Sequence, residues 1–98
     1  MIKFIRNNIT IVRGDTAELE ITFSEPVDSA VLSVKKKISD TNYVFQSQVV
    51  DGVLKITHAD TNNLVPGQYV YDIQVKYGDT IDTPLIGEFN VVADVTRE

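Results

Sequence analysis

The sequence predicts an all-β Greek-key sandwich of seven strands, and three observations predict it. Apolar and polar residues alternate with period two along one segment after another, turn chemistry falls between those segments, and Pro66-Gly67-Gln68-Tyr69 precedes one of the longest of them. Successive strand residues face opposite sides, so strict alternation marks strands with one face in a core. Seven such runs, with turn signals roughly every 8–12 residues, describe an immunoglobulin/fibronectin-III-like arrangement. No amphipathic helix of useful length, internal repeat or low-complexity stretch interrupts the pattern.

Strands are expected near residues 8–12, 17–24, 29–37, 43–50, 53–58, 68–77 and 84–92, with 1–7 as an N-terminal arm or edge strand and 93–98 as a C-terminal tail. In the second strand Ala17, Leu19, Ile21 and Phe23 form an inward row, with Glu18, Glu20 and Thr22 outward. Leu54 and Ile56 form another row, as do Tyr69, Tyr71, Ile73, Val75 and Tyr77 in the sixth strand and Leu85, Gly87, Phe89 and Val91 in the seventh. Between the first two strands lies the turn Arg13-Gly14-Asp15-Thr16, with Gly14 at a position that calls for positive φ. Pro26 closes the second strand, because proline brings no amide donor to a ladder. Asp51-Gly52, between Val49-Val50 and Val53-Leu54, reads as a two-residue type I′ hairpin in which both central residues take positive φ. Tyr77-Gly78-Asp79-Thr80 marks a later hairpin, and one short helical turn is expected within 59–64, capped by Asp60 or Thr61.

The most specific local pattern is Leu64-Val65-Pro66-Gly67-Gln68-Tyr69. It stands where a tyrosine corner belongs, with Tyr69 bonding back to upstream backbone to fix the crossover between sheets. The antibody subtype is excluded, since both the disulfide and the core tryptophan are missing. In a seven-strand sandwich, residues 1–7 and 93–98 are expected at opposite poles. Pro84 and the Lys35-Lys36-Lys37 triplet read as edge guards, and Tyr43 to Val50 as the less guarded edge, open to main-chain pairing.

Composition narrows the function classes. The 98 residues are 43% hydrophobic and 23% charged, close to the soluble globular average for one domain. No apolar run has the length of a transmembrane helix, and the N-terminal segment lacks the apolar centre of a signal peptide, so maturation in a cytoplasm is expected. The net charge of −5 argues against nucleic acid, which is held by basic faces. With no cysteine, thiolate chemistry, disulfides and cysteine-ligated zinc are excluded together.

The residues that could carry chemistry are few. Arg13-Gly14-Asp15 is the tripeptide that integrins read, but its structural use as a tight turn is the stronger reading. Asn8-Ile9-Thr10 fits the glycosylation acceptor pattern, which is inert without a secretory route. His58 is the only histidine, at a strand end with neither nucleophile nor orienting acid beside it in sequence. Asp60, Thr61, Asn62, Asn63, Asp79 and Asp82 offer oxygen ligands without the spacing of a calcium loop. No catalytic, cofactor or metal residue is assigned. The positions singled out are structural: Gly14, Asp51, Gly52, Pro66, Gly67 and Tyr69.

Ile11-Val12-Arg13-Gly14-Asp15-Thr16-Ala17-Glu18-Leu19 resembles the start of the Ig-like structural domain of tailed bacteriophages, as found at the N-terminus of siphophage upper-baseplate proteins. Pro66 to Val75 is similar to a second hallmark of that group, and Thr83 to Arg97 to the ending of small phage structural proteins. The third strand departs from the pattern: it is short, and its approach is reduced to Val27-Asp28-Ser29-Ala30. The resemblance implies a non-catalytic virion adaptor or decoration protein of tail, baseplate or head. Its partners would be other virion proteins, with self-association into a ring as one form of assembly and no nucleic acid or membrane. The alternative is an Ig-like adhesion module of a bacterial cell-surface or secreted protein, stiffened by calcium.

Overall fold

The computed structural model describes residues 2–5, 7–23 and 26–96. Its elements are β1 (Ile2–Ile5), β2 (Asn8–Val12), β3 (Ala17–Glu20), β4 (Ser29–Lys35), β5 (Phe45–Val50), β6 (Val53–Ile56), α1 (His58–Thr61), β7 (Gly67–Tyr77) and β8 (Thr80–Val92). The strands are hydrogen-bonded in the order β1-β2-β8-β7-β4-β5-β6-β3. β2 runs parallel to β8, and the other pairs are antiparallel. The first four residues of β5 pair with β4 and its last two pair with β6, so β5 passes from one layer to the other. The result is an immunoglobulin-like Greek-key sandwich.

The alternation read in the sequence fills a single core between the layers. Ile9 and Ile11 of β2, Leu32 and Val34 of β4, Leu54 and Ile56 of β6, Tyr69 to Val75 at odd positions of β7, and Phe89 and Val91 of β8 are buried. Phe45 packs edge-on against Phe89, with ring centroids 5.6 Å apart at 73°. Leu19, Ile21 and Phe23 are only half-buried; β3 ends at Glu20, and the Ile21 N–H, bonded to the Gly52 carbonyl at 2.7 Å, carries its direction one residue further. Asp51 (φ 53) and Gly52 (φ 76) make the β5–β6 turn.

Several expectations are corrected. β8 starts at Thr80, four residues before 84, and Pro84 lies inside it. The register slips there: Ile73 faces Leu85 and Val75 faces Asp82, so Thr83 and Pro84 oppose Gln74 alone. That is a bulge, where a residue without an amide donor costs the ladder least. The helix begins at His58 and its cap is Thr57, not Asp60 or Thr61. The expected edge at Tyr43 to Val50 is shortened, because Val49 and Val50 pair with β6, while Phe45 to Gln48 pair with β4 on one side. The chain ends do not lie at opposite poles. β1 turns back on β2, which places Ile2 beside Ile11, and Ile11 stands beside Val91. Both ends of the described chain therefore meet at one pole.

Candidate functional site

The Arg13-Gly14-Asp15 turn is built against α1. Thr57, with extended backbone (φ −93, ψ 164), accepts the Asp60 N–H on its hydroxyl, and the Asp60 carboxylate accepts the Thr57 N–H at 2.9 Å. This reciprocal capping box satisfies two donors that a helix start leaves open. It also aims Thr61 inward, where the side chain is fully buried. The Thr61 hydroxyl accepts the Gly14 N–H at 3.0 Å and donates to the Asp15 carbonyl at 3.1 Å. The His58 ring donates from Nδ1 to the Gly14 carbonyl at 2.7 Å, which fixes the Nδ1–H tautomer. Gly14 has φ 87, so the turn requires the backbone freedom of glycine.

Arg13 is held from the other side. Its N–H donates to the Val92 carbonyl at 2.8 Å, and its Nε donates to Asp94 Oδ1 at 2.9 Å, with both side chains largely sheltered. The tripeptide is thus fastened by α1 and by the residues that follow β8, and its arginine is engaged within the fold.

The second fixed point is Tyr69. Its hydroxyl donates to the Val65 carbonyl at 2.7 Å, and the ring is buried. Lys36 lies over that ring with Nζ 4.5 Å from the centroid, and donates to the Gln68 carbonyl. Lys35 stands 5.2 Å over the Tyr43 ring. Lys35 and Lys36 therefore cover aromatic rings, and the triplet does not guard a sheet edge as expected, because β4 is paired with β7 on one side and β5 on the other. Gly67 has φ 153, and a Cβ there would sit 3.2 Å from Lys36 Nζ. Pro66, just before it, is half-buried.

A third fixed point went unread in the sequence. The Tyr71 hydroxyl donates to the Asn7 carbonyl at 2.6 Å, and Asn8 Oδ1 accepts the Glu88 N–H at 3.0 Å. Burial pushes the Tyr71 phenol up from 10.0 to about 12. Gly87, paired with Tyr71 across the ladder, leaves the room this needs: a Cβ there would overlap the Asn7 carbonyl oxygen and lie 2.8 Å from its carbon. The available signal was a glycine within an otherwise apolar inward row, which marks close approach of another backbone.

The groups suggested as ligands do not converge. Asp60 serves the cap, Thr61 the turn and His58 the Gly14 carbonyl, while Asp79 and Asp82 lie exposed at the β7–β8 hairpin. Among the described residues no group of three or more His, Asp or Glu is placed to hold a metal ion. No helix there is long and apolar enough to cross a membrane. On the outer face of the β4–β7 layer, Ile38 and Tyr43 from the β4–β5 loop rise beside Val31, Lys35, Asp72 and Ile86 around a shallow hollow of about 170 Å³. Ile38, Tyr43 and Ile86 are more than half exposed.

No known protein family matches the chain, and no curated protein matches it. Among solved structures it is similar to CopC from Methylosinus trichosporium OB3b, at 18% identity over 91% of this chain and 87% of that one, with TM-score 0.55. It is also similar to the V domain of amphioxus IgVJ-C2, at 17% identity over 88% and 99% with TM-score 0.41. The amphioxus IgVJ-C2 molecule itself matches at 16% identity over 86% and 54%, with TM-score 0.42. Likeness at such low identity concerns the fold alone.

Proposed function

We propose that this chain is a non-catalytic assembly protein, a structural or adaptor component of a tailed-bacteriophage particle. The observation that carries the non-catalytic part is how the chemically capable groups are spent. Arg13 bonds Asp94, His58 bonds the Gly14 carbonyl, and Asp60 and Thr61 hold the cap and the turn. Catalysis needs a nucleophile, a base and an orienting group within reach of one reacting atom. What the fold offers outward is main-chain edges and a few exposed apolar residues. These suit recognition by strand pairing and surface contact.

The phage assignment rests on the resemblance of Ile11 to Leu19 and Pro66 to Val75 to phage Ig-like domains. In this chain those segments are the clamped turn and the tyrosine-anchored strand, which supports a shared structural use for them. The same clamp supports reading Arg13-Gly14-Asp15 as architecture. The deciding experiment is mass spectrometry of purified particles from the phage or induced prophage that encodes the chain. The expected result is the protein in intact particles at many copies. Its presence in lysate but never in particles would overturn the assignment.

A further inference from the structure

β5 is bonded to β4 through Phe45 to Gln48 and to β6 only through Val49 and Val50. The side of Phe45 to Gln48 turned away from β4 therefore has no ladder partner among the described residues. There β6 leaves for the other layer, and the Ser47 hydroxyl reaches across the widening gap to the Lys55 carbonyl at 2.6 Å. Open strand edges template the addition of another strand, and soluble proteins normally blunt them with charge or proline. From Thr41 to Val50 this chain has neither. The open side of β3 is different, since Glu18 and Glu20 are both exposed there. Exposed apolar residues flank the β5 edge, Tyr43 just before it and Val50 just after it. Opposite charges flank it too. Lys35 Nζ stands 5.2 Å over the Tyr43 ring, and exposed Asp51 follows Val50.

We propose that the chain pairs with a second copy of itself through β5, antiparallel about a two-fold axis, so that the β4–β7 layer continues from one copy into the other. This inference deepens the assembly reading and rests on it. Charge selects the occupant. An uncharged strand set against itself opposes no like charges, whereas β3 against β3 would set Glu18 and Glu20 against themselves. Antiparallel pairing also lays the start of one strand toward the end of the other. Tyr43 and Lys35 of each copy then approach Val50 and Asp51 of the other, apolar toward apolar and cation toward acid. Gln46 and Gln48 are exposed, and Gln46 is held on the outer face by its Nε2 bond to Ser33 Oγ at 2.9 Å. Pairing brings these glutamines of the two copies within reach of each other. The contact uses the same patch on both copies, so it is isologous and closes at two. The edge is only four residues long, so the dimer is weak and main-chain bonds supply its affinity.

Sedimentation velocity of the full chain from micromolar to millimolar concentration tests this. Expected is a monomer–dimer equilibrium that stops at two copies. Gln46→Lys with Gln48→Lys, and separately Gln46→Glu with Gln48→Glu, should each weaken association roughly tenfold or more, because like charges then meet across the two-fold axis. Mixing the two variants in equal amounts should restore the dimer, since each edge then meets one of opposite sign. Both glutamines are exposed, and thermal melts followed by circular dichroism check that each variant is folded. A monomer throughout the range, growth beyond two copies, association indifferent to both pairs of substitutions, or no recovery on mixing would each overturn the proposal. Particle mass spectrometry separates the two readings: a strict monomer that is nevertheless found in particles sinks the β5 contact and leaves the virion role standing.

Discussion

Thr61, Tyr69 and Tyr71 each use one hydroxyl to hold backbone that regular pairing does not reach. Thr61 is the most economical, since its single oxygen takes the Gly14 N–H and gives its proton to the Asp15 carbonyl. Thr61→Val keeps the shape and strands both backbone groups, so a loss of about 2–4 kcal/mol is expected in urea unfolding. Tyr69→Phe removes the hydroxyl that donates to the Val65 carbonyl and should cost about 1–3 kcal/mol. An unchanged denaturation midpoint would show that the corner bond contributes nothing. Tyr71 carries a pH signature. Burial pushes its phenol up to about 12 from 10.0, so above about pH 10 the unfolded chain releases this proton while the folded chain keeps it. Stability then falls as pH rises from about 10 toward about 12, by up to roughly 1.4 kcal/mol per unit. Tyr71→Phe lacks that contribution, and its midpoint should decline less steeply than the wild type's across the same interval. Parallel declines would refute the assignment to Tyr71.

At the scale of elements, short pieces gain definition from what they dock against. α1 has only four residues and would not persist alone, yet its capping box and its grip on the Gly14 turn make it the lock between β2 and β3. The β1–β2 turn is held in the same manner, by Tyr71 and Glu88 reaching Asn7 and Asn8 over Gly87. Gly87→Ala puts a methyl where the Asn7 carbonyl lies, so a loss of about 1–3 kcal/mol is expected. Hydrogen exchange should then show β1 amides losing protection before those of β7. Protection of β1 at the wild-type level would mean that the turn is anchored elsewhere. β5 is the hinge of the sandwich, since it serves both layers. Gly52→Ala at φ 76, with the Ile21 carbonyl 3.3 Å from the added Cβ, should destabilise the β5–β6 turn by about 1–2 kcal/mol.

For the whole molecule, the return of β1 beside β2 matters most. It brings the two ends of the described chain to one pole, and β3 stands at the opposite end of the strand order. The adhesion alternative with calcium stiffening has its own readout at this scale. The melting temperature should be the same in millimolar calcium and in chelator. A reproducible rise with calcium would revive that alternative through mass-action stabilisation.

The sequence by itself determined the class of the fold, most strand positions and the inward rows, because period-two alternation and turn residues act locally. Asp51-Gly52 takes its positive φ values from those two residue types, and Tyr69 follows a motif that spans only a few neighbours. Arg13-Gly14-Asp15-Thr16 was legible as a turn for the same reason. What holds that turn was not, since Thr61 and Asp94 stand far along the chain and nothing near either of them names Gly14 or Arg13. The limits of β3, the bulge at Pro84 and the two-layer use of β5 depended on which strands came to lie alongside. The direction of β1 was likewise a tertiary decision. An alternating segment states which of its faces is apolar but not which neighbour it pairs with, and pairing is settled only when the chain closes over one shared core.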